Sequence, residues 1–173
     1  MDGDTRPKLI AMYKDGYRAV SEALTGATDA ELDTQPKPGK WSAREVVHHV
    51  ADSEMTAAIR LRLLLVVDNP QIVGFDQDEF ARKLYYAERP TEASLEAFKA
   101  ARRTTAELLD RMTDADWRRL GTHTRARLLF DRALARNLLV ARAQTCRADP
   151  RRPRRRPKEQ ENVSHQCCTL FHK

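Results

Sequence analysis

Residues 41–54, WSAREVVHHVADSE, combine a helix start, a histidine pair and two acidic residues within about four helical turns. Ser42 and Glu45 have the S-x-x-E spacing of a capping box, in which each side chain bonds a free backbone amide of the first turn. The Pro-Gly pair at 38–39 prevents an earlier helix from continuing into this segment. The sequence therefore predicts a helix from Ser42 to about Val67.

The histidines of this helix fall on different faces. At roughly 100° per residue, His49 lies at the edge of the broad apolar arc, whereas His48 lies on the far side with Glu45 and Asp52. Adjacent helical histidines are more often one solvated and one boundary residue than a metal-binding pair. If this segment does form one wall of a metal site, His49 is the better candidate ligand and His48 the weaker alternative.

Glu54 falls inside the apolar arc, where a carboxylate must be paired, protonated or close to a cation. One interpretation is an ion pair with an arginine of a neighbouring helix, such as Arg102 or Arg103. The other is a catalytic role, in which Glu54 or Asp52 orients a ligand or acts as a base beside the site. The residues alone leave both open.

The composition indicates a single helical domain. The chain has 173 residues, 41% of them hydrophobic, with a mean hydropathy of −0.66 and few glycines or prolines. It contains no apolar run of membrane-spanning length, and its first four residues, MDGD, are acidic rather than signal-like. These features predict a cytoplasmic protein.

The net charge of +6 is unevenly distributed. Residues 1–124 hold 18 basic and 21 acidic residues, whereas residues 125–173 hold 13 and 4, so the basicity belongs to the C-terminal part alone. All three cysteines lie there too, without the spacing of a zinc site. The character of the chain therefore changes near Thr124.

Apolar spacing and capping signals place the other elements. Residues 5 to about 24 predict a first long helix, and a third follows Pro90-Thr91. Three long helices need a fourth to close a bundle, for which Phe130 to Ala143 is the only candidate. The smaller predicted elements are a short helix opened by Thr28, a segment 75–84 ending in a short helix, a helical turn within 114–120, and a loop at 121–124. We place a bundle domain at 1–148 and a basic, disordered tail at 149–173.

The order of these motifs resembles a known family. The Lys-Trp-Ser-x-x-Glu helix start, His49-Val50-Ala51-Asp52-Ser53-Glu54, the FDQD segment at 75–78, the leucine-rich third helix and Trp117 followed by GTHT at 121–124 are similar to the DinB/YfiT-like superfamily. The similarity covers about residues 6–124. It implies an all-α, up-down-down-up four-helix bundle, here with an atypical fourth helix.

The resemblance also implies a metal site. Many members hold a divalent ion, such as Zn, Ni, Mn or Fe, with three histidines, and His49 matches the first. The other two come from an H-x-x-x-H pair on the fourth helix, whose i, i+4 spacing lets both grip one ion. Here Ala141 and Thr145 stand where that pair would fall, and the sequence contains no H-x-x-x-H. We therefore expect weak or absent metal binding and little activity.

A change of reading frame in the gene would account for the missing histidines. Degenerate codons for residues 125–150, read one base later, permit the run E-x-G-Y-S-x-I-E-R-W-L-E-I-Y-S-S-H-A-x-K-H-A-E-Q-I-R, which is very similar to the family's fourth helix. Its two histidines arise from codons overlapping Ala141 and Thr145. We hypothesise a single-base frameshift near Thr124 or Arg125.

The resemblance implies a metal-dependent hydrolase, or a transferase that uses a bacillithiol- or mycothiol-type thiol, acting on a small molecule. A homodimer is compatible with it. The alternative function is a non-catalytic helical bundle that binds a small ligand or serves in stress responses. Nucleic-acid binding through the arginines of residues 151–156 is less favoured, because such a run attracts phosphates without reading sequence.

Overall fold

The structure is a computed structural model that describes residues 5–124 and the backbone of residues 127–129. Its helices are α1 (Thr5–Leu24), α2 (Asp29–Asp33), α3 (Ala43–Val66), α4 (Gln77–Lys83), α5 (Glu92–Leu109) and α6 (Asp114–Trp117). Its strands are β1 (Gln71–Ile72), β2 (Leu120–His123) and β3 (Arg127–Leu129). Each helix predicted within residues 5–124 is present.

Local side-chain chemistry sets several of the helix starts. The predicted capping box of α3 is confirmed, because Ser42 accepts from the Glu45 amide while the Glu45 carboxylate accepts from the Ser42 amide at 2.7 Å. Thr28 and Thr113 make equivalent boxes for α2 and α6. Asp76 caps α4 by accepting from two amides of its first turn. Such caps satisfy amides that a helix leaves without partners.

Helix α5 packs against both α1 and α3, which places it at the centre of the described bundle. The apolar core forms two clusters along these helices. One contains Tyr13, Leu61, Leu64, Ile72, Ala106, Leu109 and Trp117. The other contains Val20, Leu32, Ala43, Val46, Val50, Ala51 and Phe98. Helix α3 contributes residues to both clusters, so its apolar face runs the length of the core.

A small three-stranded sheet closes one end and corrects the predicted loop at 121–124. Strand β2 pairs in parallel with β1 and antiparallel with β3, in the order β1-β2-β3. The amides of Thr122 and Thr124 donate to Pro70 and Ile72 at 2.9 and 3.0 Å. The loop prediction was wrong because these partners lie about fifty residues away, which a local pattern does not reveal.

Predictions for the C-terminal part lie outside the described residues. They are the fourth helix from Phe130 to Ala143, the domain boundary after residue 148 and the basic tail at 149–173. Within residues 5–124, no helix is both long and apolar enough to cross a membrane.

Candidate functional site

His49 lies in the second turn of α3 and is 4% exposed. The edge of its ring meets Trp41, with ring centroids 4.7 Å apart and planes at 62°. Its Nε2 lies 3.4 Å from the hydroxyl of Ser53, one helical turn later. Its buried Nδ1 has no hydrogen-bond partner in the described part of the chain. A buried ring nitrogen without a partner is unusual. In the tautomer that carries its proton on Nε2, this Nδ1 presents a lone pair that a ligand can use.

Burial lowers the pKa of His49 from its ordinary value to about 4. Removing the imidazole from water disfavours the charged form, and the packing around Trp41 supplies no compensating carboxylate. His49 is therefore a neutral imidazole at neutral pH. Neutral imidazole is the form that binds a metal ion.

His48, on the far side of α3 from the apolar arc, is also buried, at 1% exposure, rather than solvated. The turn before α5 and the first turn of α5 cover that side. Its Nε2–H donates to the Arg89 carbonyl at 3.1 Å, and its Nδ1 accepts from the Ser94 hydroxyl at 2.7 Å. Burial also lowers the pKa of this ring. Because both nitrogens are engaged, His48 joins α3 to α5 and is poorly placed to ligate a metal.

Glu54 forms a buried ion pair with Arg102, as one of the two sequence interpretations predicted. The guanidinium donates from Nε and Nη2 to Glu54 Oε2, at 3.0 and 2.8 Å. Both side chains are nearly inaccessible, at 4% and 3% exposure. The pair joins α3 to α5 in the middle of the bundle.

Tyr13 completes this cluster from α1. Its hydroxyl donates to Glu54 Oε1, and its backbone carbonyl accepts from Arg102 Nη1 at 2.8 Å. The guanidinium also lies 4.3 Å from the centre of the Tyr13 ring. Burial and the adjacent Glu54 carboxylate raise the pKa of Tyr13. Both oxygens of Glu54 are thus occupied, which favours a structural role over the predicted catalytic one.

Asp52 lies on the other side of α3 and accepts from the hydroxyl of Tyr86 at 2.5 Å. Tyr86 is fully buried, and burial together with this carboxylate raises its pKa. Its ring also meets Trp41 edge-on at 6.4 Å. These contacts connect the Asp52–Tyr86 hydrogen bond to Trp41, whose ring packs against His49. The geometry supports a positioning role rather than direct action as a base.

The described residues do not form a complete metal site. No three histidine, cysteine, aspartate or glutamate side chains within them lie close enough together to hold an ion. His49 has the burial, charge state and free nitrogen of one ligand, but Asp52 and Glu54 are already bonded elsewhere. Further ligands would have to come from outside this part of the chain.

Sequence patterns located His49, Asp52 and Glu54 but did not predict the residues that form hydrogen bonds within this part of the bundle. Tyr13, Tyr86 and Ser94 were not among the predicted site residues. The signal that was available is a polar atom on an otherwise buried helical stripe, since such an atom requires a partner. Which helix supplies the partner depends on tertiary packing.

The comparisons with known proteins identify the family. A family profile described as the DinB superfamily matches residues 12–159. The chain belongs to the DinB superfamily. The match extends past Thr124, where the sequence was predicted to depart from the family.

Two curated relatives share 35% of aligned residues with the chain. The protein of Geobacillus thermodenitrificans aligns over 111 residues, 64% of this chain and 62% of that protein. The protein of Oceanobacillus iheyensis aligns over 114 residues, 66% of each. Both are named "putative metal-dependent hydrolase". The chain thus spans slightly less than two thirds of each relative's length.

A solved structure shows the same fold. YfiT of Bacillus subtilis, described as a probable metal-dependent hydrolase with an unusual four-helix bundle topology, superposes with a TM-score of 0.80 at 24% identity. The superposition covers 84% of this chain and 85% of YfiT. The predicted four-helix-bundle fold is confirmed.

Proposed function

We propose that the protein is a metal-dependent hydrolase of the DinB type whose ion is bound through His49, and that the chain as it stands is impaired. The carrying observation is the buried, neutral imidazole of His49, whose Nδ1 lacks a partner within the described residues. Neither Asp52 nor Glu54 is part of the proposed ligand set.

The membership of the superfamily and the names of the relatives support a divalent-metal cofactor. The sequence motif supports His49 as the first of three histidine ligands. A single histidine holds a divalent ion weakly, because structural and catalytic sites use at least three protein ligands. We therefore propose weak metal binding and low activity for this chain.

The reason we propose for the impairment is the single-base frameshift near Thr124 or Arg125. It accounts for the charge change at this point, the clustered cysteines and the absence of H-x-x-x-H. It also predicts that the restored frame carries two histidines at codons overlapping Ala141 and Thr145. The nucleotide sequence across Thr124 tests this directly, since codons that forbid those histidines contradict it.

The finer reaction class is also a proposal. The resemblance supports either hydrolysis or transfer to a bacillithiol- or mycothiol-type thiol, with a small molecule as substrate. A frame-restored protein that consumes its substrate only when such a thiol is added would be a transferase. Turnover with water alone would support the hydrolase.

The alternative function is a non-catalytic bundle that binds a small ligand. One observation favours it: the two acidic side chains predicted to act beside the site, Asp52 and Glu54, are bonded to Tyr86, Tyr13 and Arg102 and are not free to act as bases. Under this alternative, restoring the reading frame produces no hydrolytic or transferase activity even when the ion is bound.

The deciding experiment measures bound metal after loading with Zn²⁺ or Ni²⁺ and gel filtration, for the full chain and for its frame-restored form. We expect the full chain to retain well below one ion, and the restored form to retain about one. His49→Gln in the restored form should abolish retention, whereas the matched control His48→Gln should not.

Two results would overturn the proposal. The first is a stoichiometric ion in the full chain that survives His49→Gln. The second is a restored form that folds, as shown by its helical circular dichroism, but retains no ion.

A further inference from the structure

One face of α3 carries polar side chains at successive turns. They are spaced 4, 3 and 4 residues apart, so at about 100° per residue they lie within about 60° of one another around the helix. The first is buried and the other three are half-buried. We call this set the α3 polar stripe; it consists of His49, Ser53, Thr56 and Arg60. The candidate metal ligand is thus one end of the stripe, and an arginine is the other.

Hydroxyl groups occupy the stripe between its two ends. The Ser53 hydroxyl lies 3.4 Å from His49 Nε2, and the Thr56 hydroxyl donates to the Asp52 carbonyl at 2.7 Å. The carboxylate of Asp52 is already bonded to Tyr86. The stripe is therefore a polar surface without negative charge that leads from the imidazole to the arginine.

Arg60 is held in place by two neutral groups. Its Nη2–H donates to the Val73 carbonyl, and its guanidinium lies over the Phe75 ring, with Cζ 5.6 Å from the ring centre. A guanidinium has five N–H donors, and this contact with Val73 uses one of them. The segment that follows β1 therefore fixes the position of the guanidinium and leaves most of its donors available to a ligand.

Arg60 has no carboxylate partner among the residues that the structure describes. Arg102, which is also on the inner side of a helix, pairs with Glu54. Burial lowers the pKa of Arg60, because part of its hydration is lost and no nearby negative charge offsets that loss. The guanidinium nevertheless stays charged at neutral pH. A partly dehydrated cation without a counter-charge is stabilised when an anion binds to it.

We propose that Arg60 binds a carboxylate of the substrate whose reacting end lies at His49. The inference rests on the proposed function, because that function places the reaction at His49. Three helical turns separate the two residues, a rise of about 16 Å between their Cα atoms. Helical side chains lean toward the N-terminus and arginine is the longer of the two, so the groups themselves lie on the order of 10–16 Å apart. The substrate is then an elongated, peptide-like molecule with a carboxylate remote from its reacting atom.

A carboxylate suits Arg60 better than a phosphate. A guanidinium forms two parallel hydrogen bonds to a planar carboxylate, and one positive charge balances one negative charge. A phosphate dianion needs further donors or a second cation. The Gly74 amide already donates to the Thr124 hydroxyl at 3.1 Å, and the next arginine of α3, Arg62, donates to the Ala58 carbonyl at 2.9 Å.

NMR of the full chain without metal tests the carboxylate site, with acetate as the probe. We expect acetate, but not chloride at equal ionic strength, to shift the Arg60 Nε–H signal and the Gly74 amide saturably, with a dissociation constant of about 1–10 mM. Arg60→Gln should abolish the shift at Gly74. Arg60→Lys keeps the charge but loses the fork of donors, so acetate should bind at least about 3-fold more weakly than to the parent chain. Arg62→Gln is the matched control and should leave acetate binding unchanged.

The link to His49 is tested in the frame-restored form loaded with Ni²⁺, whose bond to a thiolate absorbs in the near ultraviolet. The probes are ω-mercaptoalkanoates of increasing chain length and the ω-mercaptoalcohols of equal length. The carboxylate should tighten binding at least about 10-fold over the alcohol, but only in chains long enough to span about 10–16 Å. Arg60→Gln should remove this gain.

Several results would overturn the proposal. They are the absence of a saturable acetate shift, an equal loss of acetate binding in Arg62→Gln, and phosphate binding at least about 10-fold more tightly than acetate. A carboxylate gain that is the same at every chain length, or that survives Arg60→Gln, would separate Arg60 from the reaction at His49. A restored form that holds no ion would refute the proposed function and this link, whereas the acetate titration would still establish Arg60 as an anion site.

Discussion

Arg102 and Glu54 form an ion pair inside the bundle, with two hydrogen bonds of 3.0 and 2.8 Å between the guanidinium and one carboxylate oxygen. Tyr13 bonds both members, so three helices meet at a single polar cluster. Two polar residues of α3 therefore have different roles, one structural and one available for ligand binding. Glu54 is committed to holding helices together, while His49, less than two turns earlier, keeps a free nitrogen.

Replacing Glu54 with Gln should strongly destabilise the protein. The amide keeps the shape and can still bond Tyr13, but it leaves the Arg102 charge buried without a counter-charge. We expect the free energy of unfolding in urea to fall by about 3–5 kcal/mol, the usual cost of breaking one side of a buried pair.

Two controls make this prediction specific. The double variant Glu54→Gln/Arg102→Met should recover part of the loss, because the unpaired charge is gone. Lys14→Ala removes an exposed ion pair with Asp110 that also connects α1 to the end of α5, and it should cost less than about 1 kcal/mol. Equal losses for Glu54→Gln and Lys14→Ala would contradict a dominant role for the buried cluster.

Gly16 makes room for this cluster. A Cβ at Gly16 would lie 1.8 Å from Arg102 Nη1, so Gly16→Ala must displace the guanidinium. Alanine is favoured over glycine in a helix by about 1 kcal/mol, but the clash outweighs this gain. We expect a net loss of about 1–3 kcal/mol in the free energy of unfolding.

Removing the Arg102 guanidinium should reverse the sign of the Gly16→Ala effect on the free energy of unfolding. In a chain already carrying Arg102→Met, the space beside Gly16 is less crowded, and Gly16→Ala should become neutral or stabilising by up to about 1 kcal/mol. If the substitution costs the same in both backgrounds, the loss does not arise from the Arg102 contact. Urea unfolding of the four chains completes the cycle.

The features that the sequence predicted well are those whose causes are local. Ser42 and Glu45 are three residues apart, so the start of α3 is visible in the sequence. Glu54 on an apolar arc required a partner, and the cation was correctly sought among Arg102 and Arg103. The partner of Asp52 was not predictable in this way, because Tyr86 follows a turn whose path is set by tertiary packing.

The small sheet shows the same limit. Its strands are two to four residues long, too short for a period-two pattern. Strands β1 and β2 are also separated in sequence by α4, α5 and α6. The burial of His48 was missed for a related reason: the helical arc was judged from α3 alone, whereas Ser94 and the Arg89 carbonyl cover its other side.

The substitution Gly121→Ala tests how closely β2 packs against the residues before β1. A Cβ there would lie 3.1 Å from the backbone oxygen of Pro70 and 2.9 Å from Leu64 Cδ2. Because the backbone of the neighbouring strand cannot yield as a side chain does, Gly121→Ala should lower the free energy of unfolding by about 1–3 kcal/mol.

Gly74→Ala is the matched control. The nearest atoms to its Cβ belong to the side chains of His123 and Thr124, at 3.1 and 3.4 Å, and these can move. We expect an effect clearly smaller than that of Gly121→Ala in thermal unfolding followed by circular dichroism. A larger effect at Gly74 would contradict the close packing of β2 against Pro70.

The pKa of His49 predicts how stability depends on pH. Burial lowers this pKa to about 4 in the folded chain, against an ordinary value near 6.5 in the unfolded chain. Above pH 6.5 both states are neutral and the full stability is present. Between pH 6.5 and 4 the unfolded state binds the proton first, so the free energy of unfolding decreases as pH falls, by about 3 kcal/mol in total from this group.

His49→Gln removes this dependence, because glutamine does not titrate. The free energy of unfolding, measured in urea at half-unit steps from pH 7.5 to 4, should fall less steeply in the variant than in the parent chain. His48→Gln should also flatten the curve, since burial lowers that pKa in the same direction, but it removes the bonds to Ser94 and Arg89 and so should lower stability at every pH. Parallel curves for His49→Gln and the parent would show that His49 is not a buried neutral imidazole, and would remove the physical basis for assigning it as a ligand.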